Sequence, residues 1–463
     1  MGDGRHRIPE WCKRAGWTQG ELRRRILQRA AVDPSYRHVA PSKGRVAQWF
    51  KGEHPRHPVP QILADIFSDH FGFEVTPDDL GLGSHRVLVK PTVPLYPETR
   101  FLLLRELRDL TGRHLMLTRR DLLEAGGCLL TSAGLLGPLN RWLDDVPPAS
   151  IVDDVPRMKI GTTQLELIEL AAREFREWNW QVGGMFWKSA LGHLQYVTEQ
   201  ISEPYSERVK RRLYAVAADL GETVAHMARD LGYHAEAQRY YGLALRAARE
   251  AQEWALGAHI LASMAGHMIE LGHPHEGLEL VHLAQKGERG QATPTLRAML
   301  RIRESWAYVK MAEPRDGRRA ISQAEDEFSD YQPTDDPHWL RYVSSAEFNG
   351  VCGSRYRDLV RYDTRALEHS ARSYEVALAM RDPQYVRSRA LDYTGLAKVR
   401  LLQGEVEQAC ATADKALAIA EKIQSPTVTQ KIHEFLRQVM QYRSLGSVRV
   451  FEEKVHVVLG VSV

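Results

Sequence analysis

The sequence predicts an all-α chain, a small helical head followed by an α-solenoid. Apolar residues recur at helical spacing along most of its 463 residues. A signature of small residues repeats four times in the C-terminal half, as Gly232/Ala237/Tyr241/Ala244, Gly272/Gly277/Val281/Ala284, Ala312/Gly317/Ile321/Ala324 and Gly404/Ala409/Ala413/Ala416. A hydrophobic fraction of 43% and a charged fraction of 26% are ordinary for a globular chain. The expected domains are residues 1–83 (head), 84–160 (connector), 161–446 (repeats) and 447–463 (tail).

Residues 8–82 read as five short helices. The first covers Pro9–Ala15, with Trp11 and Cys12 facing inward. Thr18 and Glu21 have capping-box spacing, where each side chain satisfies an orphan backbone N–H. They open a second helix that runs to about Ala31. Pro34 and Pro41 bound a loop. Ser42 can cap a third helix, Lys43–Phe50, with Val46, Trp49 and Phe50 on one apolar face. Arg45 and Gln48 occupy another face, flanked by Lys43 and Lys51. Gly52 ends that helix. A fourth, Pro60–Phe71, carries Ile62, Leu63, Ile66 and Phe67 at helical spacing.

A third helix with an outer face of Lys, Arg and Gln has the layout of a helix-turn-helix. Arg pairs bidentately with the guanine edge in the major groove, and Gln with the adenine edge. Thr18-Gln19…Glu21-Leu22 and Val46-Ala47-Gln48-Trp49-x-x-Gly52…Pro55 resemble the Xre/Cro-type helix-turn-helix family. The stretch between helices two and three is about ten residues, longer than the tight turn of that family. The resemblance implies double-stranded DNA as a partner. Arg45 and Gln48 would read bases, and Ser42 and Lys43 would lie at the helix start. Gln19 would face a phosphate from a helix N-terminus, as would Lys51 from beyond the third helix. Residues 1–60 hold 13 Lys/Arg against 5 Asp/Glu, a basic head on an acidic remainder, which suits a polyanion.

The connector should hold one helix, about Glu98–Leu110, and an apolar segment Leu122–Leu143 broken at Gly126-Gly127, between proline-rich linkers that act as a hinge. Thr118-Arg119-Arg120-Asp121-Leu122-Leu123 is similar to a twin-arginine export motif. It lies deep in the chain, and the apolar run after it is too short to span a bilayer. From about Thr162 to Leu445 the pattern gives some thirteen helices in antiparallel pairs. Pro204, Pro274, Pro314, Pro383 and Pro426 mark turns or helix starts. In the repeated signature a small residue lets the chain reverse, and those after it let two helices approach closely. This is the logic of tetratricopeptide (TPR) repeats. The copies recur at intervals of 40, 40 and 92 residues, so one unregistered copy belongs near Trp339–Ala379. The first helix of each pair should line a concave face. Counting back from the turns places Asp219, Glu222, His226, Arg229, Asp230, His259, Ile269, Glu270, Trp306, Lys310, Lys398 and Leu401 there. The expected partner-binding set is Glu222, His226, Arg229, His259, Trp306, Lys310 and Lys398, suited to a peptide or protein segment. The alternating valines of Ser447–Val463 read as a short strand or a frayed tail.

The order of segments resembles actinobacterial regulators with an N-terminal helix-turn-helix and a C-terminal TPR body, nearest the Nsd-type negative regulators of streptomycete differentiation. The carrying residues are Arg45-Val46-x-x-Trp49-x-x-Gly52-Glu53-x-Pro55, Leu115-Met116-Leu117-x-Arg119-Arg120, Gly183-Gly184, Tyr240–Ala251, Met268-Ile269-x-Leu271-Gly272, Leu278–Gln285 and Trp339–Glu347. The resemblance implies a cytoplasmic transcriptional regulator that restrains sporulation and antibiotic production. A homodimer on a two-fold site is the expected assembly. The competing reading is a TPR adaptor that binds no DNA and scaffolds proteins.

Other classes find little to start from. Cys12, Cys128, Cys352 and Cys410 lie far apart, which fits a reducing cytosol rather than a disulfide framework or a zinc site. No nucleophile elbow, P-loop, dinucleotide fingerprint or H-E-x-x-H occurs, so neither an enzyme nor a cofactor is expected. His267, His273, His275 and His282 lack ligand spacing, so no metal is expected. Asp144-Asp145, Asp153-Asp154 and Asp335-Asp336 read as turn residues. No secretory signal opens the chain, and no membrane association is expected.

Overall fold

The computed structural model describes residues 8–32, 39–53, 55, 59–71, 75, 80, 82, 95–118, 129–144, 160–423 and 425–460. Among these are twenty α-helices and no β-strand. They fall into two compact units, the head and everything from residue 95 onward.

The head contains α1 (Ile8–Ala15), α2 (Gln19–Val32), α3 (Lys43–Phe50) and α4 (Val59–Phe71). A fifth helix would fall in 72–82, mostly outside the described residues. Trp11, Cys12, Leu22, Ile26, Val46, Trp49, Ile62, Leu63 and Phe67 form the core. Trp17 stacks on Phe67 with ring centroids 5.0 Å apart, and Arg25 covers Trp17 at 4.2 Å. Only half of the expected capping box forms. The Glu21 N–H donates to Thr18 Oγ1 at 3.2 Å. The Glu21 carboxylate turns instead to Arg24 and Arg25.

The second unit begins with α5 (Arg100–Met116) and α6 (Ser132–Leu139). These are not parts of a hinge, because both dock on later helices. α5 packs on α8 (Trp187–Ser202) and α10 (His234–Ala251), where His114 Nδ1 lies 2.8 Å from the Tyr240 hydroxyl. Past α6, Trp142 fills a slot whose floor is Gly257 and Gly287, where any Cβ would strike the indole. The twin-arginine pair and Leu122–Cys128 lie outside the described residues, as do Asp145, Asp153 and Asp154. No described helix is long and apolar enough to cross a membrane.

From Thr162 onward the helices stack in solenoid-like fashion: α7 (Thr162–Val182), α8, α9 (Glu207–Asp230), α10, α11 (Trp254–Glu270), α12 (Pro274–Gly287), α13 (Pro294–Lys310), α14 (Pro314–Ser329), α15 (Ser345–Leu359), α16 (Ala366–Met380), α17 (Val386–Leu402), α18 (Val406–Ala420), α19 (Pro426–Val439) and α20 (Gly446–Leu459). The pairs α9/α10, α11/α12, α13/α14, α15/α16 and α17/α18 pack most extensively. The four signature copies sit at four of their five turns. The leading residues Gly232, Gly272, Ala312 and Gly404 all have positive φ, at 85°, 89°, 65° and 82°. The small residues after the turn are needed sterically. A Cβ on Gly277 would meet Ile269, and one on Gly317 would meet Val309. The fifth pair, α15/α16, is the unregistered copy. Its turn carries no positive φ among the described residues, and its close approach comes from Gly353 lying under the Tyr374 ring.

The C-terminal segment is helical, not a strand. Val448, Phe451 and Val455 are fully buried at i, i+3 and i+7, and Phe451 meets Phe435 edge-on at 5.4 Å. That apolar stripe overrides the valine alternation.

The turn geometry predicts opposite effects for two small substitutions. Ala312→Gly should raise stability slightly, by about 0.5 kcal/mol, because relief of the left-handed backbone exceeds the added freedom of the unfolded chain. Gly404→Ala should cost about 1 kcal/mol. Urea unfolding midpoints at constant m-value measure both.

Candidate functional site

On the head, α3 presents its polar face outward. The Arg45 N–H donates to Ser42 Oγ at 3.2 Å, so Ser42 caps the helix as expected. Lys43, Arg45, Gln48 and Lys51 are exposed, as is Gln19 at the start of α2. Arg45 also lies 3.3 Å from Glu53, an exposed pair of the kind that contributes at most about 1 kcal/mol. Val46 and Trp49 are buried beneath them. The helix thus separates a packing face from a face of four polar and cationic groups.

In the second unit, the first helices of the pairs line an interior that the protein partly fills itself. Arg176 of α7 is buried. Its guanidinium donates to Asp219, and to Glu222 at 2.8 Å. Glu222 is fully buried and also accepts from Ser263 Oγ at 2.6 Å, with His259 Nε2 3.3 Å away. Burial alone would raise the Asp219 carboxyl, but Arg176 and His338 outweigh it and hold it below its ordinary value. The loop 330–344 between α14 and α15 supplies the rest. His338 Nε2 lies 2.7 Å from Asp219 Oδ2. Trp339 stacks on His259 at 5.1 Å, and Tyr342 stacks on Trp180 at 3.9 Å. Leu340 and Val343 are fully buried.

Beyond this filled half lies a cavity of about 500 Å³, bounded by α7, α9, α11, α13, α15, α17 and α19. Asp230 closes it. Its carboxylate accepts from the Gly184 N–H at 3.1 Å, from Arg387 at 2.8 Å and from Thr427 at 2.5 Å. Gly183, at φ 74°, runs so close to Asp230 Oδ2 that a Cβ there would collide with it. The first and last parts of the repeat stack therefore meet. Eight Arg and Lys side chains line the cavity against four carboxylates. Most are paired: Arg229 with Glu270, Arg381 with Glu347 and Asp392, Lys398 and Lys431 with Glu434, and Arg357 with Asp358. A separate groove of about 710 Å³, lined by Glu169, Arg173, Arg208, Arg212 and His338, lies on the other side of the filled segment.

The structure separates the expected partner-binding residues. His226, Arg229, Trp306 and Lys398 line the cavity. Glu222 and His259 sit inside the Arg176 and Trp339 network. Lys310 is exposed at the end of α13 and is not among the lining residues. Arg176, Trp180, Arg303, Tyr342, Arg355 and Arg387 were not picked out by counting from the turns. Arg303 lies one turn before Trp306 on the same helix. Arg176 and Trp180 come from α7, Tyr342 from the loop 330–344, Arg355 from α15, which has no registered copy, and Arg387 from the start of α17, ahead of the positions counted from its turn. His267 does not join the other three histidines, but pairs with His234 at 3.0 Å. No group of three metal-ligating side chains is found among the described residues. Cys12, Cys352 and Cys410 are buried free thiols.

This is a two-unit, all-α protein with exposed cations on one short helix of the head and a cation-lined pocket in its helical stack. Residues 9–83, essentially the head, match the family described as SP15 N-terminal domain. No curated protein and no solved structure matches the chain.

Two outcomes test this interior. Asp230→Ala leaves Arg387 and the Gly184 N–H without their acceptor and should cost about 3 kcal/mol. Amide exchange should speed up in both 184–187 and 386–402. The second concerns pH. Burial holds the His259 imidazole down at about 4, against the pull of Glu222. The unfolded chain therefore takes up this proton below about 6.5, while the folded chain stays neutral. Stability should fall as the pH drops from 6.5 toward 4, by about 2 kcal/mol at pH 5 from this residue. In urea titrations across pH, His259→Gln should show a shallower fall than wild type.

Proposed function

We propose that the protein is a cytoplasmic transcriptional regulator. Its head is a helix-turn-helix that binds double-stranded DNA, and its TPR-type stack senses a ligand. The observation that carries this reading is the two-faced α3. Val46 and Trp49 are locked into the core, which fixes the rotation of the helix. Arg45 and Gln48 are thereby held outward, three residues apart and rigidly placed. Groove readout needs such placement, since bidentate contacts to base edges depend on it. The charge of the head supports the same reading: Lys43 and Lys51 flank the two base-reading residues, where phosphates would lie. In this reading Glu53 shields Arg45 in the free protein and releases it on binding. Binding as a homodimer and restraint of sporulation and antibiotic production belong to the same proposal.

The interior favours a sensor over a scaffold, because the loop 330–344 packs Trp339, Leu340 and Tyr342 onto the inner face that an extended segment of a partner would need.

Selection of genomic fragments by the purified protein should yield a recurring motif. Arg45→Ala should lose about 1–3 kcal/mol on that motif and relax the preference at one position. Lys51→Ala should weaken binding evenly across sequences and lower the salt slope by about one. Equal affinity of Arg45→Ala and wild type for the motif would remove the assignment of α3 as the reading helix.

A further inference from the structure

The cavity has more positive charge than its own carboxylates neutralise. Every lining cation but one has a carboxylate partner, and the exception is Arg303. Among the described residues, no carboxylate pairs with it and no hydrogen bond holds it. Its guanidinium rests against Gly266, where a Cβ would come within 3.1 Å of Nε. Burial and the neighbouring Arg229 lower its pKa, against the pull of Tyr342 and Glu347.

Arg355 is a second, independent case. It is 6% exposed, and its Nε and Nη1 are buried with no hydrogen-bond partner. Asp358 lies 3.6 Å from Nη1, beyond hydrogen-bond reach. The guanidinium stacks on the Trp306 indole at 4.2 Å, so the ring fixes the plane of the fork. Burial and the nearby Arg357 and Arg303 pull its pKa down to about 10, with Asp358 opposing. Unmade donors on a buried guanidinium are costly. A partly buried arginine with no carboxylate partner and a second with unmade buried donors, both lining one pocket, are the arrangement expected of an anion site.

We propose that this cavity binds a small molecule carrying two or more phosphate groups, with Arg303 and Arg355 as its principal anchors. Phosphate oxygens match the planar fork of arginine, and several charges in a compact group match the surplus of cations. The volume of about 500 Å³ fits a nucleotide-sized ligand and falls within the usual range of small-molecule sites. A long peptide would not fit. This proposal rests on the sensor reading of the helical stack, and not on DNA binding by the head.

The test is calorimetric titration of the full-length protein, without DNA, using sodium pyrophosphate, ADP, GTP, adenosine and citrate. Pyrophosphate and the two nucleotides should bind, and adenosine should not. Tighter nucleotides than pyrophosphate would assign the ligand to the nucleotides; equal affinities would assign it to the phosphate groups alone. Arg303→Met and Arg355→Met should each weaken binding at least about tenfold, while Arg208→Met in the other groove should leave it unchanged. Thermal unfolding of the free variants supplies a second readout. Removing a partly buried cation that has no carboxylate partner should raise the melting temperature of Arg303→Met. Four results would overturn the proposal: no phosphate compound binding at millimolar concentration, citrate binding as well as pyrophosphate, full affinity in Arg303→Met, or a lowered melting temperature for the free Arg303→Met protein. Because no DNA is present, each of these leaves the reading of the head where it stood.

Discussion

The Asp230 carboxylate accepts hydrogen bonds from the Gly184 N–H, the Arg387 guanidinium and the Thr427 hydroxyl, which lie 46, 157 and 197 positions away. A buried anion is tolerated only when its lone pairs are matched, and removing one partner of such a set costs far more than the set adds. The pairing therefore constrains the backbone. Gly183 must take a left-handed turn beside the carboxylate, α17 must reach back to α9, and α19 must begin within reach of both. The cavity exists because these three requirements are met together.

The second constraint is that the inner face is shared between the chain and whatever enters. Arg176 and the loop 330–344 fill one half with stacked aromatics and a hydrogen-bonded ion network. The cavity on one side of this filling and the groove on the other remain open. The split explains why residues at equivalent positions in successive repeats have different roles. Glu222 and His259 hold the structure together, while Arg229, Trp306 and Lys398 face the cavity.

Much of the architecture was legible because it rests on local rules. Gly232, Gly272, Ala312 and Gly404 marked turns because a left-handed residue is needed to reverse the chain there. Val46 and Trp49 announced the buried side of α3 by their three-residue spacing. The α15/α16 pair escaped because its turn has Arg361-Tyr362 and no left-handed small residue to lead the signature, although Ala366 and Ser370 follow it as small buried residues. The helix at Gly446–Leu459 was missed because valines at alternate positions concealed the Val448, Phe451 and Val455 stripe. The interior was the least legible. Arg303, Arg355 and Arg387 acquire significance only through neighbours brought together by the fold, and Arg176 meets Glu222 across 46 residues. The need for glycine at 183, the collision of any Cβ there with Asp230, became visible only in three dimensions.

An open helical stack can gain or lose a repeat at modest cost, because each repeat touches only its neighbours and the ends are free. Closure through Asp230 removes that freedom. Adding or deleting one helix pair between α9 and α17 would carry Arg387 and Thr427 out of reach and leave the carboxylate buried and alone. The number of repeats is thus set by geometry. Related chains should vary in their loops and surfaces while keeping the same count of helix pairs, and those that change the count should also have lost the acid at the position of Asp230.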